Sequence, residues 1–341
     1  MDGWRGFGSD NHAGVHPEVL SAIAEANVGH ALAYGDDPWT ARAIHAVRAQ
    51  AGQDAQVAFV WNGTGANVVC LGAVCHPWES VICAESAHIM TDECGAPEHI
   101  ANIKLVPIAS PDGKLTPDLV KPALTGFGFE HHAQPKVISI SNVTELGTVY
   151  SQREIRALAD VAHSHGMMLH VDGARIANAA ASQACTIAAL SSEAGVDMLS
   201  LGGTKNGMMC GEAVVLCGDA RTDDLGYVRK QSAQLASKMR FVAAQFAAMF
   251  EGDLWRRCAA NANAMARRLS DGATARGIEI AFPVQANEIF ALLDDERIPE
   301  LQDRFRFYSW EEGVSAGRSL VRWVTSWDTT PEDVDALVAE L

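Results

Sequence analysis

The chain has 341 residues, is 48% hydrophobic and 20% charged, and carries a formal net charge of −16. Its length suggests about two domains with ample material for a core, and its acidity argues against nucleic acid or an anionic membrane as a partner. No run reaches the ~18 apolar residues of a membrane span, and Met1-Asp2-Gly3-Trp4-Arg5-Gly6 lacks the basic and then apolar segments of a signal peptide, so a cytoplasmic location is expected.

Residues 7 to 17 read as a loop containing Ser9-Asp10-Asn11, and Pro17 opens a helix with Leu20, Ile23 and Ala24 on its apolar stripe. Tyr34-Gly35-Asp36-Asp37-Pro38 is a polar turn before a helix from Thr40 to about Gln50. Val57 to Trp61 reads as a strand running into Asn62-Gly63-Thr64-Gly65-Ala66-Asn67, with an apolar helix from Val68 to Val74. Strands are expected at Ser80 to Ala84, Lys104 to Ile108 and Val137 to Ser141. Ser151-Gln152-Arg153-Glu154 is a capping box whose helix buries Ile155, Leu158, Ala159 and Ala162. Further strands follow at Met167 to Val171, Met198 to Leu201 and Glu212 to Cys217.

Apolar strands alternating with helices predict an α/β fold: a mostly parallel central sheet with helices on both faces. After residue ~250 the texture changes. A helix over roughly 253 to 270, strands at Ile278 to Phe282, Ile289 to Leu293 and Leu320 to Trp327, and a last helix from Thr330-Pro331 predict a smaller α+β unit. The expected division is 1–250 and 251–341.

Asp172 falls at the end of the Met167 to Val171 strand, and Lys205 lies just past the Met198 to Leu201 strand. Ligands of open α/β sheets bind outside the carboxyl ends of the strands. An amine and an acid on one rim suit the Schiff-base lysine and pyridinium partner of a pyridoxal phosphate enzyme; a capping acid beside a solvated lysine is the plainer alternative. Gly63 and Thr64 before a helix suit a phosphate or a simple tight turn. His88, after the strand ending at Ala84, reaches the same rim as a stacking ring or as a structural histidine. Arg175 follows Asp172 by three residues, and Arg322 sits between Val321 and Trp323 in an apolar strand, where a substrate carboxylate or an ordinary ion pair would satisfy it.

Gly313-Val314-Ser315-Ala316-Gly317 matches the nucleophile elbow of serine hydrolases, whose histidine follows the serine. Here the last histidine is His170, so the match is set aside. No metal site is expected: there is no H-E-x-x-H, and the eight cysteines show no C-x-x-C spacing and read as reduced packing residues.

Together these residues resemble the low-specificity L-threonine aldolases, fold-type I pyridoxal phosphate enzymes of the beta-eliminating lyase group. The resemblance rests on Ser9-Asp10-Asn11, Tyr34-Gly35-Asp36-Asp37-Pro38, Gly63-Thr64-Gly65-Ala66-Asn67, Ala87-His88, His170-Val171-Asp172-Gly173-Ala174-Arg175, Thr204-Lys205, Met239-Arg240 and Val321-Arg322, in family order across nearly the whole chain. It implies a pyridoxal 5'-phosphate cofactor held on Lys205, with Asp172 on the pyridine nitrogen and His88 on the ring. It assigns Gly63, Thr64, Thr204 and Arg240 to the phosphate, and Ser9, Arg175 and Arg322 to the substrate carboxylate. Family members are usually homotetramers of dimers with shared sites, and Tyr34 with its acidic neighbours is the candidate to be contributed across the interface. One branch has a histidine where this chain has Thr144-Glu145, and the chain resembles the other branch. Three candidates for the base at the substrate hydroxyl therefore stand: His88, Glu145, or a water held by the phosphate.

The implied reaction is retro-aldol cleavage of L-threonine, L-allo-threonine and related β-hydroxy-α-amino acids to glycine and an aldehyde. β-Elimination, transamination or racemisation would use the same lysine, acid and arginines. A non-catalytic member of the fold is the remaining alternative.

Overall fold

The computed structural model describes residues 6–341. Met1 to Arg5, the greater part of the stretch read for a signal sequence, lie outside the described residues.

Seven strands build the larger sheet: β1 (Gln56–Val60), β2 (Glu79–Ala84), β3 (Lys104–Ile108), β4 (Gln134–Ser141), β5 (Met168–Gly173), β6 (Met198–Leu201) and β7 (Glu212–Leu216). Their order is β1-β7-β6-β5-β4-β2-β3. β7 runs antiparallel to both neighbours, and the run from β6 to β3 is parallel throughout. Every residue of β6 and β7 is buried, as a sheet covered on both faces requires. Ser141, Asp172 and Ser200 stand side by side on β4, β5 and β6. Those three strands therefore finish at one level, and the segments carrying Glu145, Arg175 and Lys205 leave from the same rim.

The smaller sheet has β8 (Glu279–Ile280), β9 (Glu288–Asp294), β10 (Tyr308–Ser315) and β11 (Arg318–Val324), all antiparallel, in the order β10-β11-β9-β8. The helix Leu254–Ala275 joins the two parts. Its first turns, with Leu254, Trp255 and Cys258, belong to the main core, and its last turns, with Ala266, Leu269 and Ala273, pack with Ile289, Val321, Trp323 and Leu337 in a second core. Phe7 is buried in that second core, donates its N–H to the Phe305 carbonyl at 3.0 Å and accepts from Val324 N–H at 2.7 Å. The segment after it thus runs from the small sheet back to the rim of the large one.

Lys104–Ile108 and Met198–Leu201 coincide with their expected limits. The helix expected from Val68 begins at Gly63, because the Asn62 side chain accepts Gly65 N–H at 2.8 Å and caps it there. Ile278 to Phe282 shrinks to the two residues of β8. The helices Met239–Phe250 and Ile298–Phe305, and the strand β10, were not anticipated. Gly313 to Gly317 falls on the exposed β10–β11 hairpin and not on a strand-to-helix turn. Among the described residues no helix is long and apolar enough to cross a membrane.

Candidate active site

A cavity of about 330 Å³ opens at the carboxyl rim of the large sheet. Gly63, Thr64, His88, Glu145, Asp172, Arg175, Thr204 and Lys205, all singled out from sequence, line it. Asn11, Trp61, Asn67, Glu93, Ser141 and Glu212 line it as well and were not assigned roles.

The approach of Asp172 and Lys205 depends on Gly202. A Cβ there would lie 2.4 Å from the Ala174 carbonyl oxygen, and Gly202 N–H donates to the Gly173 carbonyl at 3.0 Å. Only glycine lets the exits of β5 and β6 close to this distance.

Asp172 is buried and fixed by two donors: Ala174 N–H at 3.0 Å to Oδ1 and Asn67 Nδ2 at 2.8 Å to Oδ2. Beneath it His170 lies between the Ser139 and Ser200 hydroxyls at 2.8 and 3.0 Å, and burial pushes its pKa down to about 4. Asn67 Nδ2 also donates to Glu93 Oε1 at 2.8 Å, and the same oxygen pairs with His88 Nδ1 at 2.9 Å. The hydrogen bond to Glu93 raises the His88 pKa against the opposing effect of burial. Donor atoms of His88, Glu93 and Asp172 lie within 4.8 Å of one another, a spacing that a cation could use; the Asn67 amide already bridges the two carboxylates.

Glu145 Oε1 accepts the His88 backbone N–H at 2.8 Å and the Ser141 hydroxyl at 2.6 Å. Burial nevertheless pushes its pKa up to about 7. Glu212 accepts Gly203 N–H at 2.6 Å, and burial moves it up to about 7 as well.

Gly63 and Thr64 form the first turn of a 12-residue helix, ahead of its first internal hydrogen bonds. A Cβ at Gly63 would meet nothing within 4 Å. Free N–H groups beside open space form an anion cradle. Elsewhere on the cavity wall, Asn67 Oδ1 and Glu93 Oε2 are buried without partners among the described residues. The donor set fits pyridoxal phosphate: an amine for its aldehyde, an acid for its ring nitrogen, an imidazole for its ring and a helix terminus for its phosphate.

Arg175 gives Nε and Nη2 to Asp10 at 2.7 and 3.1 Å, which leaves Nη1 toward other anions. Ser9, Tyr34, Arg240 and Arg322 do not line the cavity. The Ser9 hydroxyl accepts Asn11 N–H at 3.2 Å at the start of the Asp10–His12 turn. Arg322 lies beside Arg175 with Glu288 between them. Tyr34 and Arg240 sit apart. Tyr34 N–H binds the Ser237 carbonyl at 3.0 Å, and Arg240 donates to the carbonyls of Val28 and Gly29 at 3.1 and 3.4 Å. Asp37, one of the acidic pair after Tyr34, is buried as the cap of the Pro38–Ala51 helix.

A lysine and an acid on the rim of this α/β sheet, with an anion cradle beside them, define an enzyme of the fold-type I class. Within that class the chain belongs to the beta-eliminating lyase family, whose model matches residues 6–296. It is 43% identical over 338 residues to the low specificity L-threonine aldolase of Pseudomonas aeruginosa, covering 98% of this chain and 96% of that one. The solved threonine aldolase of Leishmania major is similar with a TM-score of 0.93 at 33% identity, covering 98% of each chain. A structure of SPT carrying PLP shares the fold at a TM-score of 0.71 and 18% identity, over 98% of this chain and 85% of that one.

Proposed function

We propose that this chain is a pyridoxal phosphate-dependent aldolase. It cleaves L-threonine, L-allo-threonine and related β-hydroxy-α-amino acids to glycine and an aldehyde. The convergence of Lys205, Asp172 and His88 on one cavity, with Arg175 at its wall, carries this reading. Bound there, the cofactor supplies an electron sink for the bond broken at Cα.

Lys205 anchors the cofactor, Asp172 takes its ring nitrogen, His88 covers its ring, and Gly63, Thr64 and Thr204 hold its phosphate. Arg175, Arg322 and Ser9 hold the substrate α-carboxylate, which fixes rotation about the Cα–N bond and selects the bond that breaks. Glu145 is the base for the β-hydroxyl proton. Its pKa of about 7 suits a base near neutral pH, whereas the bond to Glu93 keeps His88 protonated to higher pH. Tyr34 and Arg240 serve the site of a neighbouring subunit in a homotetramer built from dimers. Residues 1–250 form the cofactor-holding unit and 251–341 the smaller unit; the two separate cores support two units, with Phe7 packed into the second and Leu254, Trp255, Cys258, Ala259 and Ala286 into the first. All eight cysteines are free, which suits a reducing cytoplasm.

The test is aldehyde release from L-threonine by the protein with pyridoxal phosphate, beside Lys205→Ala. The wild type is expected to release aldehyde, and the variant about a thousandfold less or lower still. The family's description favours β-elimination as a second reading; ammonia and a keto acid from L-serine, without aldehyde from L-threonine, would establish it.

A further inference from the structure

Glu288 was not singled out by any motif, and its surroundings are unusual. It is 1% exposed, and among the described residues neither carboxylate oxygen has a hydrogen-bond partner. Its nearest charges are two guanidinium groups: Arg175 Nη1 is 3.5 Å from Oε2, and Arg322 Nη1 is 3.6 Å from Oε1. A buried carboxylate without donors is strongly disfavoured unless opposite charges offset it. Here one acid lies between two bases.

The fold imposes this arrangement. In the β9–β11 pairing Glu288 faces Val324 and Arg322 faces Phe290, so Glu288 and Arg322 are diagonal neighbours on one face. Gly147 comes so close to the Glu288 backbone that a Cβ on it would lie 3.3 Å from the Glu288 carbonyl oxygen. The preceding residue, Asn287, donates to Asp10 Oδ2 at 3.1 Å. Two adjacent residues, Asn287 just before β9 and Glu288 at its start, thus hold the Asp10–Arg175 pair and bring Arg322 up to it. Arg322 has little else to hold it among the described residues: its Nε is buried without a partner there, and its guanidinium lies 4.9 Å from the centre of the Trp310 ring.

We propose that Glu288 is a positioning residue whose buried carboxylate holds Arg175 and Arg322 side by side as a two-armed clamp for the substrate's α-carboxylate. This rests on the aldolase reading, in which those arginines bind that group. Two charges balance two before substrate arrives, Asp10 and Glu288 against Arg175 and Arg322. At 3.5 to 3.6 Å the Glu288 contacts align the arginines without committing their donors. Removing the acid acts in two directions. It raises the positive potential, which favours an anion, and it lets the two guanidiniums repel each other. Repulsion dominates, because bidentate recognition needs both planes in register and Arg322 has only an aromatic ring to retain it.

The experiment uses Glu288→Gln, Glu288→Asp and the wild-type holoenzyme. The visible absorbance of the bound cofactor is titrated with glycine and with methylamine, an amine without a carboxylate. Glu288→Gln is expected to weaken glycine about tenfold or more, roughly the loss of one charge-assisted contact, and to change methylamine by less than about twofold. KM for L-threonine should rise by a similar factor, with kcat changed less than about threefold. Glu288→Asp keeps the charge at a longer reach and should fall between; if Glu288→Gln does not fold, Glu288→Asp is read on the same two probes. Equal weakening of both amines, or unchanged or tighter glycine, would overturn the positioning role while leaving the aldolase reading intact. A wild-type holoenzyme that does not favour glycine over methylamine would overturn the clamp and the aldolase reading together.

Discussion

The Glu145 side chain takes two hydrogen bonds, from His88 N–H and the Ser141 hydroxyl, and still titrates near neutral pH because it is removed from water. Its folded pKa of about 7 lies above the ordinary glutamate value of 4.5. The stability contributed by its protonated form is complete below the unfolded value and is lost as pH rises through about 7. Catalysis runs the other way, since a base must be ionised. If Glu145 removes the β-hydroxyl proton, kcat/KM for L-threonine rises with pH through about 7, and Glu145→Gln abolishes that limb and lowers kcat by about 10² to 10⁴. A pH–rate profile of the two proteins decides this; an unchanged limb and rate in the variant would move the role to His88 or to water. The main residues of the site were legible because each sits at a strand exit inside a short motif. Asn67 and Glu288 were not, because their roles depend on which strands and helices become neighbours. Asn67 reaches Asp172 across 105 positions of sequence.

At the scale of elements, the site depends on close approaches of backbone. Gly202 places the β6 exit against Ala174 with no room for a side chain, and the contacting atoms are backbone that cannot rotate away. Gly202→Ala is therefore expected to destabilise the protein by about 2–4 kcal/mol and to weaken cofactor retention, because Asp172 and Lys205 are forced apart. Gly63→Ala faces open space in the first helical turn. Its stability should change by less than about 1 kcal/mol, while the added methyl crowds the proposed phosphate position. Urea denaturation of both variants without cofactor, followed by cofactor titration, tests the contrast; equal stability of the two would remove Gly202 from its role. The elements missed from sequence each have a physical cause. The helix Met239–Phe250 is buried on nearly every side, so it has no polar face to mark its period. β10 is exposed at all its residues, so no apolar alternation distinguishes it from a loop. The helix starts at Gly63, ahead of the apolar run that marks it in the sequence, because its start signal lies in the Asn62 cap.

At the scale of the whole molecule, the phosphate arginine assigned by resemblance, Arg240, does not line the cavity of its own chain. Arg240 is held by the carbonyls of Val28 and Gly29, near a surface where Val28, Leu32 and Tyr34 are 57%, 71% and 50% exposed. Apolar side chains so far out of the core suit a contact between copies. The same neighbourhood reaches the cavity mouth through the loop before Met239, where Ser237 accepts Tyr34 N–H and Gln234 accepts Trp61 N–H at 3.0 Å. A two-fold pair would repeat that surface against its own cavity and supply Arg240 and Tyr34 to the other subunit. The proposed exchange of Arg240 and Tyr34 predicts complementation. Lys205→Ala and Arg240→Ala are each expected to be nearly inactive alone. In a mixed dimer one site collects both substitutions and the other collects neither. Random pairing of equal amounts makes half the dimers mixed, each with one intact site of two, so co-expression should restore about a quarter of wild-type activity. No recovery above the separate variants would mean that Arg240 acts within its own chain, and full activity of Arg240→Ala alone would remove it from the site.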